Sequence, residues 1–273
     1  MAAAMMGTHT MTGTYDFTLV AASFLLSVIA SFTALNLSDR LDMIGNRPIA
    51  PWIVFGGGVM GLGIWSMHFV GMLAFHLPFS VGYSIPITVG SLFVAIVASA
   101  IGFIPLWSYE LRWSRLIGGA VAMGLGVAGM HYLGMQAMGV CPAIHYSPWL
   151  VALSIVIAIL ASAGALILAF GLRGLRAHRR VRQVGAAVVM GVAVCGMHYC
   201  GMAAASFDRG SYSLSTVSTL PVPWLASLVI TFSLVIFAVS IAIAVLDARA
   251  NARLRAVSDS FLEKRIGKRA SAR

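Results

Sequence analysis

The chain has 273 residues, 60% of them hydrophobic and only 10% charged, with a formal net charge of +10. A water-soluble domain carries about 25% charged residues, so this composition excludes one: most of the chain has no aqueous surface to cover. Apolar stretches of the ~20 residues that cross a hydrocarbon core recur along it, and the basic excess lies between them, which points to membrane topology rather than to nucleic acid.

The N-terminal segment MAAAMMGTHTMTGTYD has no basic residue ahead of the first apolar run. It lacks the positive n-region of a cleavable signal peptide, so that run is expected to be a retained helix. Predicted spans follow at roughly 15–37, 51–74, 85–108, 116–138, 149–172, 183–205 and 223–247. Proline marks many of their starts (Pro48 and Pro51, Pro86, Pro148, Pro221 and Pro223), where its missing N–H costs no helical hydrogen bond. Pro105 falls near the end of the third span, where a kink is tolerable. The expected architecture is all-α, with an N-terminal segment 1–14, a seven-helix membrane domain 15–247 and a basic tail 248–273.

Loop charge orients the spans. Of the 18 Lys and Arg residues, 17 fall on one set of segments: Arg40 and Arg47, Arg112 and Arg115, the run from Arg173 to Arg182, and the tail from Arg249 onward. Only Arg209 lies on the other set. The positive-inside rule then predicts an external N-terminus and a cytoplasmic C-terminus, which requires an odd number of spans. The basic loop and tail also suit anionic lipid headgroups, and the tail is expected to continue the seventh helix.

Three segments align without gaps: MGLGIWSMHFVGM (60–72), MGLGVAGMHYLGM (123–135) and MGVAVCGMHYCGM (190–202). Relative to the histidine, each has Met at −8, Gly at −7, Met at −1, an aromatic at +1, Gly at +3 and Met at +4. The preceding spans echo each other weakly through Ile29-Ala30-Ser31, Val97-Ala98-Ser99 and Leu160-Ala161-Ser162. The repeating unit is therefore a pair of helices. Two spans restore the orientation, so the three repeats are parallel, and the seventh helix stands outside them. At about 100° per residue the box His, Met and Gly share one helical face, and small residues there let helices approach closely. The boxes should point into the bundle at one depth, near the external surface, with Phe69, Tyr132 and Tyr199 at the margin of that face.

Histidine within a span is costly unless partnered and marks a functional site by default. Imidazole binds several transition metals, and the methionine thioether selects soft copper(I). His68, His131 and His198 with Met72, Met135 and Met202 form a candidate copper site, and Met67, Met130 and Met197 are weaker candidates. His76 and His145, just beyond the first two boxes, are possible auxiliary ligands. Met1, Met5, Met6, His9 and Met11 form a candidate metal-capturing arm. Cys141, Cys195 and Cys200 are too few and scattered for a disulfide framework, and inert thiols are the default reading of the two in the third box. No nucleotide loop, paired-carboxylate site or nucleophile with its base is visible, so no enzyme activity is expected. The residues leave several functions open: a copper-dependent sensor, a copper transport or assembly factor with thioethers at two depths, a haem protein, or a bundle whose boxes only pack helices.

The threefold M-H-[FY]-x-G-M pattern on alternate helices resembles the MHYT domain, a bacterial integral membrane sensor module, over about residues 15–247. The resemblance implies copper held by Met67, His68 and Met72, by Met130, His131 and Met135, and by Met197, His198 and Met202. It implies sensing of oxygen, carbon monoxide, nitric oxide or redox state from the bacterial inner membrane. The threonine of the family's name is replaced by Val70, Leu133 and Cys200. Many family members carry cytoplasmic domains that make or degrade cyclic-di-GMP. This sequence runs only about 26 residues past the seventh span, so an output through the tail or through a separate cytoplasmic protein is expected. The expected partners are thus the lipid bilayer, a diatomic gas and that output protein, with no nucleic acid.

Overall fold

The computed structural model describes residues 10–11, 13–41, 50–107, 112–172, 179–214, 219–220 and 222–270. The helices are α1 (Phe17–Leu41), α2 (Ala50–Ala74), α3 (Ile85–Phe103), α4 (Trp113–Gln136), α5 (Pro148–Gly171), α6 (Arg179–Ala204) and α7 (Val222–Ala270). All seven contain a stretch long and apolar enough to cross a membrane, and the protein is a seven-helix, all-α membrane protein. The third span ends earlier than expected. Pro105 offers no N–H to the ladder and its ring crowds the preceding turn, so α3 stops at Phe103 and the chain leaves through a 3-10 turn, Pro105–Trp107.

Helices α1 to α6 form a closed ring in which α1 packs on both α2 and α6. The box helices α2, α4 and α6 are more buried than their partners α1, α3 and α5 and also touch one another across the centre. Helix α7 lies outside the ring against α1 and α2.

The same contacts recur in each repeat. Within a pair, the residue ahead of the first helix donates its N–H to a carbonyl at the end of the second: Asp16 to Ala74 at 2.9 Å, Ser84 to Ala137 at 2.8 Å and Ser147 to Ala204 at 2.9 Å. Between pairs, the −7 glycine lets backbones meet. A Cβ on Gly61 would lie 2.6 Å from Ile96 Cα, one on Gly124 2.6 Å from Ile159 Cα, and one on Gly191 2.6 Å from Val28 Cγ2. These contacts explain why the box conserves small residues among its own three copies where a soluble helix would place larger ones.

The segments at the box-histidine end pair into short antiparallel strands. Ala205–Asp208 lies between Thr10–Met11 and His145–Tyr146. Thr14–Tyr15 pairs with Phe75–His76, Tyr83–Ser84 with Thr219–Leu220, and Val140–Cys141 with Tyr212–Ser213. Together they cap one face of the bundle. All three cysteines are free thiols. At the opposite face α7 continues unbroken past its span, Val222–Ile243, to Ala270. At ~1.5 Å per residue that extension is ~40 Å long.

Candidate metal centre

The box histidines meet on the axis of the ring. The Nδ1 atoms of His68 and His198 lie 3.0 Å apart, those of His131 and His68 3.2 Å, and those of His198 and His131 3.3 Å. The three rings are within 10° of mutually perpendicular, at 80°, 85° and 86°, like blades of a propeller. Exposure is 1% for His68 and 0% for the other two.

Each ring is held by a glycine of the next box helix. A Cβ on Gly71 of α2 would strike Nε2 of His198 on α6; one on Gly201 of α6 would strike His131 on α4; one on Gly134 of α4 would strike His68 on α2. The +3 glycine therefore serves the neighbouring helix's histidine rather than its own. With Nε2 pressed toward a glycine, Nδ1 is the nitrogen left to face the axis.

This arrangement leaves the imidazoles unsatisfied by one another. A neutral imidazole offers one donor and one acceptor. Of three mutually close nitrogens at least two must be alike, so either a lone pair faces a lone pair or an N–H faces an N–H. None of the three buried Nε2 atoms has a hydrogen-bond partner. A cation on the axis would accept all three Nδ1 lone pairs at once. Nitrogens bound tetrahedrally at ~2.0–2.1 Å lie ~3.3–3.4 Å apart, so the observed triangle needs only a slight widening. The residues present thus fit a metal ion, and these three side chains are grouped within ligand distance of one another.

The other candidate ligands are placed as follows. Met67, Met72, Met130, Met135, Met197 and Met202 are all buried on the box helices. His76 and His145 are not in the nitrogen cluster; both lie in the strand cap. His76 Nδ1 sits 3.2 Å from the Ala74 carbonyl, and His145 Nε2 is 3.3 Å from an Asp208 carboxylate oxygen at the surface. Met11 pairs opposite Phe207 in that cap. Met1, Met5, Met6 and His9 lie outside the described residues.

The aromatics at +1 do more than fill space. Tyr132 hydrogen-bonds Ser154 at 2.7 Å and Tyr199 hydrogen-bonds Ser23 at 2.9 Å. Each serine already donates to a carbonyl three residues back, at 2.8 Å and 2.7 Å, so the tyrosine is the donor. Phe69 has no hydroxyl, and in that repeat the equivalent Ser91 instead accepts the indole N–H of Trp65 at 3.1 Å. A second aromatic from the cap covers each: Tyr83 on Phe69 at 5.9 Å, Tyr146 on Tyr132 at 5.5 Å, Tyr15 on Tyr199 at 5.9 Å. Burial, helped by Tyr199, pushes the Tyr15 hydroxyl up to about 12. Burial and Tyr132 do the same to Tyr146, also to about 12. These cap hydroxyls therefore stay neutral. Tyr132→Phe is expected to cost ~0.6 kcal/mol, the usual size of an interhelical bond in a membrane bundle. Ser154→Ala should cost no more when added to it, which a double-mutant cycle of unfolding in detergent would test.

Neither the serines nor the cap tyrosines stood out from sequence. The signal was present: Ser23, Ser91 and Ser154 each lie eight residues before the serine of the weak Ala-Ser echo, and Tyr15, Tyr83 and Tyr146 eight before those.

Comparisons with known proteins follow the same threefold repeat. A family model named MHYT, described as a bacterial signalling protein N-terminal repeat, matches residues 61–119, 124–181 and 191–255. The bifunctional diguanylate cyclase/cyclic di-GMP phosphodiesterase MucR of Pseudomonas aeruginosa is 44% identical over 249 residues, 90% of this chain and 36% of that protein. The cyclic di-GMP phosphodiesterase NbdA of the same organism is 40% identical over 70% of this chain and 24% of its own length. The signaling protein YkoW of Bacillus subtilis is 35% identical over 72% of this chain and 25% of its own. The chain thus spans little more than a third of the length of these relatives at most. No solved structure matches it.

Proposed function

The chain belongs to the MHYT family of bacterial signalling-protein repeats, and we propose that it is a copper-binding sensory module of the inner membrane, responding to a diatomic gas or to redox state. The observation that carries the reading is the convergence of three buried Nδ1 atoms within 3.3 Å of one another. Copper is favoured by donor chemistry: imidazoles at the centre, with the six buried thioethers of box positions −1 and +4 on the same three helices. When bound, copper supplies a reversible one-electron couple and affinity for oxygen, carbon monoxide or nitric oxide.

In this reading the chain's residues hold and shield the metal rather than catalyse a reaction. The glycines aim the imidazoles, and the strand cap closes the site from the external side, where loop charge puts the N-terminus. Output leaves at the cytoplasmic face. Helix α7 rests on α1 and α2, where Phe232 meets Trp65 edge-on at 5.7 Å and the Ser240 hydroxyl bonds Thr33. Trp65 in turn lies 4.6 Å from Phe69, which meets the ring of His68 edge-on at 4.8 Å. A ligand that favours one arrangement of the histidines shifts the population of α7 positions only through its differential affinity for the two. The relatives named for cyclic-di-GMP synthesis or degradation suggest an output of that class, in the same polypeptide or in a partner.

The purified full chain is expected to hold about one copper ion, as a single three-nitrogen set allows. The combined His68→Ala, His131→Ala and His198→Ala variant should hold none by metal analysis. Stoichiometric copper in that variant would overturn the proposal.

A further inference from the structure

Below the histidine layer the ring axis is not filled. The box positions at −4, Ile64, Val127 and Val194, form the next layer, ~6 Å deeper, and those at −8, Met60, Met123 and Met190, a third, ~12 Å deeper. Two adjoining cavities of about 30 and 20 Å³ share the three methionines as lining. The second also reaches Ile64, Val127, Val194 and Met197, directly beneath the imidazoles. All three methionines are buried, at 3%, 6% and 6% exposure.

The chemistry of the lining names the class of occupant. It is almost wholly aliphatic and thioether. The two hydroxyls on it, Ser38 and Ser162, already donate to the Leu35 and Ala158 carbonyls at 2.8 Å. Water needs two to four polar partners, and an apolar cavity of this kind stays dry and takes up small apolar molecules. A monovalent soft cation would have thioethers but no imidazole and no countercharge to offset its burial. The Met123 sulfur also packs toward Gly102 of α3, where an added Cβ would strike it, rather than being reserved for the axis. The space is that of a diatomic molecule.

One wall of the cavity faces the lipid side of α5. Ala161 and Ala165 of α5 line the cavity and are themselves only half-buried in a helix whose outward face is membrane-exposed. Larger residues at either position would seal that wall.

We propose that this methionine-lined cavity is a docking site for a small apolar gas, entered from the bilayer past Ala161 and Ala165, with its upper lining about one helical turn and its methionines about two turns below the histidine cluster. The assignment deepens the gas-sensing reading and rests on it for its biological use, but the cavity itself requires no metal. A docked molecule dissolved from the lipid reaches the histidines without crossing the strand cap.

Xenon is the probe. Xenon-pressurised crystals of the full chain are expected to show anomalous density between Met60, Met123 and Met190. The Ala161→Leu, Ala165→Leu double variant should lose that density while keeping its copper content. Wild-type protein that binds copper but no xenon would overturn the docking site and leave the metal reading intact. Copper-free wild type that still takes up xenon would support the cavity and count against the metal alone. Stoichiometric silver(I) retained by the triple-histidine variant would reassign the cavity to a soft cation and overturn the proposal.

Discussion

Replacing Gly134 with alanine is expected to destabilise the protein by ~1–3 kcal/mol, the cost of overpacking a filled interior, and to weaken metal binding ~10–100-fold by turning a ligand away from its axis. The added methyl falls on Nε2 of His68, a ring enclosed on every side and 1% exposed. Neither partner can yield: His68 is wedged against two other imidazoles, and the glycine is part of a helix backbone. Gly71→Ala and Gly201→Ala should behave alike, because they meet His198 and His131 in the same way. Gly129 and Gly196, two residues before a box histidine, provide the control, since a Cβ there meets nothing within 4 Å. Alanine at those positions should leave copper content unchanged and stabilise the helix by up to ~1 kcal/mol. Thermal unfolding and metal titration of the five variants would decide the matter. Equal behaviour of Gly134→Ala and Gly129→Ala would refute the idea that the box glycines position imidazoles.

Trp65→Ala should cost ~3–5 kcal/mol, the range for removing a buried large aromatic. Trp65 is 1% exposed and bridges three elements: its N–H reaches Ser91 on α3, its ring packs on Phe69 in its own helix, and its edge meets Phe232 on α7. Trp65→Phe keeps most of the packing and loses the N–H, an effect of ~0.6–1.7 kcal/mol. A second change should restore that part. Phe69→Tyr in the Trp65→Phe background supplies a hydroxyl where Tyr132 and Tyr199 have theirs, and Ser91 is the serine that would accept it. The double variant is expected to be more stable than Trp65→Phe alone. Deuterium exchange across 228–240 of α7 should rise strongly in Trp65→Ala and return near wild type in the double variant. Unchanged exchange in Trp65→Ala would remove this residue as a link between the histidines and α7.

How much of this was legible beforehand depended on the range of the interaction. Each span must satisfy its own backbone within the bilayer, so seven sufficiently long apolar runs announced seven helices. The common depth and inward face of the histidines are legible, because helical period and repeat register are local properties. Their ring orientation was not legible. It depends on a glycine of another helix, as with Gly134 and His68, and nothing near His68 in the chain records that. The bond between Ser23 and Tyr199 spans 176 residues. The strands of the cap, two to four residues long, are too short to show a period of two. Trp65 is illegible in the sequence for a different reason. It stands where the other repeats have Ala128 and Cys195, and a departure from a repeat carries no meaning until the contact that compensates for it, here with Ser91, is seen.

The three helix pairs reproduce the packing of a cyclic trimer within one polypeptide. In a trimer of separate identical chains, symmetry would copy any substitution to all three positions, and a tryptophan admitted at one spoke would be forced on the other two. Covalent linkage removes that obligation. The histidine triangle can keep its threefold balance, which a central ion requires, while a single spoke diverges to grip a single peripheral helix. Fusion thus lets a rotationally even receptor have one outlet, and the evenness of the centre and the singularity of the exit can evolve independently.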